Sequence, residues 1–129
     1  MTSESENKSL ARRFLEELGN KCVEDRLSEV LAPEYVAHHS GIAGIEQARE
    51  YLLTFQHCYP DMVVMVEGQV AEGDIVATWF MMLGTHLGVF GGVPATGKQI
   101  ALRGVNVQRI RNGRIIEHWG GQQLPGGIT

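Results

Sequence analysis

With 129 residues, 43% of them hydrophobic and 20% charged, the chain has the size and composition of one globular domain. A formal net charge of −4 with only 11 lysines and arginines argues against a phosphate-binding surface, so no nucleic-acid partner is expected. No apolar run approaches the roughly 20 residues that span a bilayer, and the polar stretch Met1 to Lys8 carries no secretory pattern. No membrane association and a cytoplasmic location are therefore expected.

From Ser9 to Leu18, Leu10, Phe14 and Leu18 recur on one stripe with Ala11 and Leu15 beside them, which predicts an amphipathic helix closed by Gly19-Asn20. A second, short helix is predicted from Glu24 to Leu31, stopped by Pro33. Tyr35 to His38 reads as extended. A third helix is predicted from Ile45 to Cys58, burying Ala48, Leu52 and Phe55. After Tyr59-Pro60-Asp61 the pattern turns to strands: Met62 to Val70, Asp74 to His86, Gln99 to Arg111 and Arg114 to Trp119, with Asn112-Gly113 as a hairpin turn. The tail Leu124 to Thr129 is expected to be loose. Helices first and an antiparallel sheet afterwards is an α+β layout.

The strand from Asp74 to His86 is apolar on both alternating sets, Ala77, Trp79, Met81 and Leu83 on one and Val76, Phe80 and Met82 on the other. Such a strand must be covered on both sides. One face can pack on the helices and line a cavity while the other meets a second subunit, so a homodimer through the sheet is expected. Trp79 and Met81, with Phe90, are candidate walls for a flat apolar ligand. The glycine-crowded connection Gly84 to Lys98 is a candidate pocket mouth, because glycine lets backbone and ligand approach closely.

His118 is a candidate proton exchanger, its ordinary pKa lying near neutrality, and His86 stands at the glycine-rich mouth. His38 and His39 follow the first strand, where one is expected to face in and the other to face solvent. Asn106 and Gln108 are polar groups in an otherwise apolar row, a pattern equally read as ligand hydrogen bonding or as a wet face. Glu117 is a candidate base if it points inward. Asp61 and Asp74 read as turn formers. Cys22 and Cys58 read as small core hydrophobes rather than a disulfide. The five histidines lack the i, i+4 spacing of a zincin and no Cys-x-x-Cys is present, so no metal is expected.

Taken together, Pro33-Glu34-Tyr35-Val36-Ala37-His38, Tyr59-Pro60-Asp61, Glu72-Gly73-Asp74, the stretch from Gly84 to Lys98, and Asn112 through Trp119 make the chain resemble the SnoaL-like polyketide cyclases of the nuclear transport factor 2-like superfamily. The resemblance implies one domain over nearly the whole chain. It implies a cone-shaped α+β barrel of three helices on a curved antiparallel sheet around an apolar pocket, commonly dimeric. The best-known members close the last ring of an aromatic polyketide by an intramolecular aldol reaction without metal or coenzyme. In those cyclases an aspartate usually stands four residues after the tryptophan matched by Trp119, and here that position is Gln123. A neutral amide cannot act as a general base but can donate a hydrogen bond to an oxyanion. The expectation is a cofactor-free aldol cyclase acting on an aromatic or polycyclic substrate, with His118, His86, Gln123 and Glu117 as catalytic candidates. His38, His39, Trp79, Met81, Phe90, Asn106, Gln108 and Trp119 are the binding candidates. A cofactor-independent hydroxylase or isomerase, or a non-catalytic binding module, are the alternatives.

Overall fold

The computed structural model describes residues 3–17, 23–89 and 92–122. In chain order these form α1 (Glu4–Glu16), α2 (Val23–Val30), β1 (Leu31–Ala37), β2 (Ile42–Ala43), α3 (Ile45–Cys58), β3 (Val63–Glu72), β4 (Ile75–Thr85), β5 (Gln99–Arg111) and β6 (Arg114–Gln122). None of these helices is long and apolar enough to cross a membrane.

α1 begins ahead of its apolar stripe because Ser3 caps it. The Ser3 hydroxyl accepts from the Glu6 amide at 3.1 Å, while the Glu6 carboxylate accepts from the Ser3 amide at 3.1 Å, a reciprocal box that satisfies two otherwise orphaned donors. α2 passes straight into β1, so Pro33 lies inside a strand and not beyond a helix. The pairing of β1 with β6 is irregular between Leu31 and Val36, which is where a residue without an N–H is tolerated. The expected end of α1 at Gly19-Asn20, Cys22, and the tail Leu124 to Thr129 lie outside the described residues.

The six strands form one sheet in the order β2-β1-β6-β5-β4-β3. The purely antiparallel sheet that the resemblance implies is corrected here: β1 runs parallel to β6. Two-residue turns join β3 to β4 and β5 to β6 and impose reversal, whereas β1 and β6 meet across most of the chain with no hairpin to set their direction. The β5–β6 turn has Asn112 at φ 53° and Gly113 at φ 76°, the left-handed pair of a tight hairpin.

All three helices contact the sheet. Phe14 and Leu15 of α1, Leu27 and Val30 of α2, and Leu52 and Phe55 of α3 form one core with Leu31, Val76, Phe80, Met82 and Ile115 from the strands. On β4 the set Val76, Thr78, Phe80 and Met82 is buried, while Ala77 and Met81 are half-buried and Trp79 and Leu83 exposed. Within one chain only one face of β4 is deeply covered.

Candidate functional site

A cavity of about 710 Å³ lies between the helices and the covered face of the sheet. Its inner wall is built by Phe14 and Leu15 from α1, Leu31, Tyr35 and Ala37 from β1, Phe55 from α3, and Phe80, Asn106 and His118 from β4, β5 and β6. His39 to Ile42 and the α3 residues Gln47, Glu50, Tyr51 and Thr54 line its outer part. α3 thus lays two stripes side by side. Ala48, Leu52 and Phe55 are buried, and Gln47, Glu50, Tyr51 and Thr54 form the neighbouring stripe at i, i+3, i+4 spacing.

His118 stands opposite Gln108 in the β5–β6 register, and both side chains are buried. The Gln108 amide nitrogen is 3.0 Å from His118 Nδ1, and His118 Nε2 is 3.2 Å from the Gly120 carbonyl. The amide donates to Nδ1 and Nε2–H donates to the carbonyl, so the network assigns a neutral imidazole protonated on Nε2. Burial pushes the His118 pKa down to about 4, against the pull of the Gly120 hydrogen bond and with a small further push from His39. The ring is tilted against Phe14 at 6.1 Å and set edge-on to Tyr35 at 6.4 Å.

Tyr35 is held above the usual phenol range by burial, with Tyr51 adding to it, so it remains a neutral donor. Asn106 is 3% exposed and pairs with Gly120 across the hairpin. Among the described residues, neither the Asn106 amide nor the Tyr35 hydroxyl is tied up in a hydrogen bond. Gly120 has φ +81°, and a β-carbon there would collide with the Val105 carbonyl, so this bend beside His118 requires glycine.

The predicted site residues separate by face. His118 and Asn106 line the cavity, His39 lines its outer part, and Gln108 lies behind His118 and outside the lining. Glu117 and Trp119 are on the opposite face of the sheet, so Glu117 does not point inward and Trp119 does not wall the pocket; His38 is there too, the outward member of the His38–His39 pair, of which one was expected to face in and the other to face solvent. Strand alternation sends the neighbours of an inward His118 outward. There His38 Nε2 is 2.9 Å from the Glu117 carboxylate, the Arg109 Nε donates to it at 2.9 Å, and Arg109 also holds Asp74 at 3.2 Å. His38 stacks on Trp119 at 5.1 Å. The hydrogen bond from His38, then the Arg109 guanidinium, hold the Glu117 carboxyl below the usual carboxylate range.

Trp79 and Met81 also fall on that outer face, not in the pocket. The Trp79 indole lies across Gly68, where any β-carbon would meet the ring. His86 is fully buried but outside the cavity. It stacks on Tyr59 at 5.5 Å and sets Nδ1 3.2 Å from the Thr96 hydroxyl. None of the described residues of the glycine-rich connection lines the cavity, and its start is bonded to the end of α3. The Leu87 amide donates to the Cys58 carbonyl at 2.8 Å, and the Cys58 thiol to the Val89 carbonyl at 3.0 Å. Asp61 accepts from the Thr85 amide and hydroxyl at 2.8 and 2.7 Å, away from the cavity. Phe90 and Gln123 lie outside the described residues. Among the described residues, no three His, Cys, Asp or Glu side chains are grouped to hold a metal.

Tyr35, Glu50 and Tyr51 are lining residues that the sequence did not single out. For Glu50 and Tyr51 the signal available was the second stripe on α3, Gln47, Glu50, Tyr51 and Thr54, beside the buried one.

The profile of the SnoaL-like polyketide cyclases matches residues 9–124 of this chain. The chain belongs to that family. Among solved structures, a candidate SnoaL-like polyketide cyclase from Jannaschia sp. CCS1 is 26% identical over 95% of this chain and 90% of its own, with a TM-score of 0.83. IdmH, a candidate polyketide cyclase from Streptomyces antibioticus, is 30% identical over 90% of this chain and 91% of its own, with a TM-score of 0.74. AclR, named as a candidate hydroxylase from Streptomyces galilaeus, is 22% identical over 95% and 92% with a TM-score of 0.80, a likeness of fold. No curated protein matches the chain. In this SnoaL-like chain His118, Asn106 and Tyr35 each bring a donor to the inner wall, and the carboxylate among the described lining residues is Glu50.

Proposed function

We propose that this protein is a cofactor-free cytoplasmic enzyme that closes a ring of an aromatic, polyketide-like substrate by an intramolecular aldol reaction. The observation that carries this reading is the neutral His118 at the buried end of an apolar cavity of about 710 Å³, beside two further donors. A proton leaves a carbon between two carbonyls. The enolate carbon bonds to a second carbonyl carbon of the same molecule, and the resulting alkoxide takes up a proton, so the product is an isomer of the substrate. Donors pre-aimed at the enolate oxygen stabilise it most in a water-poor site. His118 Nε2–H, Asn106 and Tyr35 supply them, and Glu50 accepts and returns the proton. Phe14, Phe55 and Phe80 give the flat rings an aromatic wall.

The working form is a homodimer through the outer sheet face. Val63, Met65, Trp79, Leu83 and Val105 are exposed there, an apolar surface of the kind that a partner covers.

The test is incubation with an anthraquinone β-keto ester that is one aldol step short of a further ring, followed by mass-resolved chromatography. The expected product has unchanged mass or has lost water. His118→Phe is expected to lower its rate about 100- to 1,000-fold, as loss of one oxyanion donor does, and Glu50→Gln is expected to lower it as well. Both nitrogens of His118 are already engaged within the protein, which favours a second reading, binding without turnover. Tight binding of 1,8-dihydroxyanthraquinone with no product from any such ester would establish that reading instead.

A further inference from the structure

We propose that Gln108 is a positioning residue that makes the cavity selective for a hydrogen-bond-accepting oxygen: its amide pins His118 in the Nε2–H form, so the imidazole edge beside the lining offers a proton and no lone pair. This rests on the reading that the cavity holds a carbonyl-bearing molecule.

Only one protonation state of His118 satisfies both contacts of the neutral ring. If the Gln108 amide were reversed, its oxygen would face Nδ1 at 3.0 Å and demand a proton there. The Nε2 lone pair would then face the Gly120 carbonyl at 3.2 Å, acceptor against acceptor in a buried place, which is penalised twice. Gly120 belongs to the cavity lining and Gln108 does not, so the Nδ1 edge is turned toward the sheet and the Nε2 edge toward the cavity. Gln108 is 1% exposed, and water does not compete for its amide. The Nε2 contact is at the long end of N–H···O hydrogen bonds, so an incoming oxygen can share or take over that proton while Gln108 keeps the ring in place.

The titratable groups lining the same cavity are Tyr35 from β1, His39 from the following turn, and Glu50 and Tyr51 from α3. No lysine or arginine is among the described lining residues. Burial disfavours the imidazolium, so the proton that His118 presents is tautomeric in origin and persists through neutral pH.

The experiment is long-range proton–nitrogen NMR on the full-length protein labelled in histidine, read without ligand from pH 8 to pH 5.5, paired with calorimetric binding of 1,8-dihydroxyanthraquinone. The wild type is expected to hold the Nε2–H tautomer without titrating in that range. Gln108→Glu presents only acceptor oxygens. It is expected to move the proton to Nδ1, raise the His118 midpoint toward neutrality, and weaken the probe about tenfold above that midpoint. Affinity should return below it, when the imidazolium again carries Nε2–H. Gln108→Met keeps the bulk without the donor; the Gly120 carbonyl still favours Nε2–H, but the ring loses its anchor at Nδ1, and binding is expected to weaken at all pH values. An Nδ1–H wild type, or variants that keep the Nε2–H form and the wild-type affinity, would overturn the proposal. A wild type that holds Nε2–H yet does not bind the probe would overturn the carbonyl reading of the cavity, and the selectivity with it, while upholding the pinning by Gln108.

Discussion

The two faces of the sheet draw on the same strands and the same residue types, yet they are chemically opposite. On the inner face, Gln108 and His118 hydrogen-bond as neutral partners among aromatic side chains, away from water, and Asn106 and Tyr35 keep capacity to spare among the described residues. On the outer face, Arg109 is ion-paired to both Asp74 and Glu117, and His38 is hydrogen-bonded to Glu117, at half-exposed positions with the Trp119 ring against His38. The lesson is that residue identity decides little until the dielectric is known. A histidine beside a carboxylate in solvent is an ordinary surface pair, whereas a histidine beside an amide in an apolar wall becomes a fixed donor.

Adjacent residues of β4 sharpen that contrast most. Phe80→Ala, on the inner face, is expected to lower stability by about 3–5 kcal/mol in urea unfolding, as deletion of a buried aromatic does. Trp79→Ala, one residue away and 40% exposed, is expected to change the unfolding of the single chain by less than about 1 kcal/mol. It should instead shift the mass seen by light scattering from dimer toward monomer. Equal losses at both positions would break the two-face picture.

Acid comes next. The His118 pKa is about 4 in the folded chain and about 6.5 when unfolded, so the unfolded state binds the proton first as pH falls. The stability present above about pH 6.5 should therefore decline toward pH 4, by roughly 3 kcal/mol from this group. His118→Phe removes this dependence, so unfolding curves at pH 7 and pH 4.5 should lie closer together in the variant.

Gly120→Ala is expected to destabilise by roughly 1–3 kcal/mol through backbone strain at φ +81° and its collision with Val105. Ring closure should slow as well, because the bend presents the carbonyl that orients His118. The smallest effect belongs to Glu117→Gln: product formation is expected to stay unchanged in the chromatographic assay, although Glu117 is the chain neighbour of His118. A large loss would place the outer face in the reaction and dissolve the distinction.

The third helix was legible to the residue, because Ala48, Leu52 and Phe55 recur at helical spacing between two glycines and Tyr59-Pro60. The hairpin at Asn112-Gly113 was equally legible, since its turn chemistry is local. The placement of Asn106 and Gln108 on the same face as Leu102 and Ile110 followed from alternation. The pocket side of β4 was not legible. Both of its residue sets are apolar, so nothing in the strand distinguishes Phe80 from Trp79. The mouth was misplaced for a related reason: the freedom of glycine permits many loop paths, and the one taken was chosen by the carbonyl at the end of α3.

What the sequence by itself determined is everything written in short-range periodicity and turn chemistry: the three helices, the four long strands, the α+β layout and the kinship carried by ordered short motifs. Tertiary structure alone decided the direction of β1 beside β6, the facing of Trp79, Glu117 and Trp119, the burial of His86 away from the cavity, and the protonated nitrogen of His118. These depend on which group lies across a sheet or a turn from which other. A periodic pattern records only that a side must be covered, and the partner that covers it arrives from a distant part of the chain.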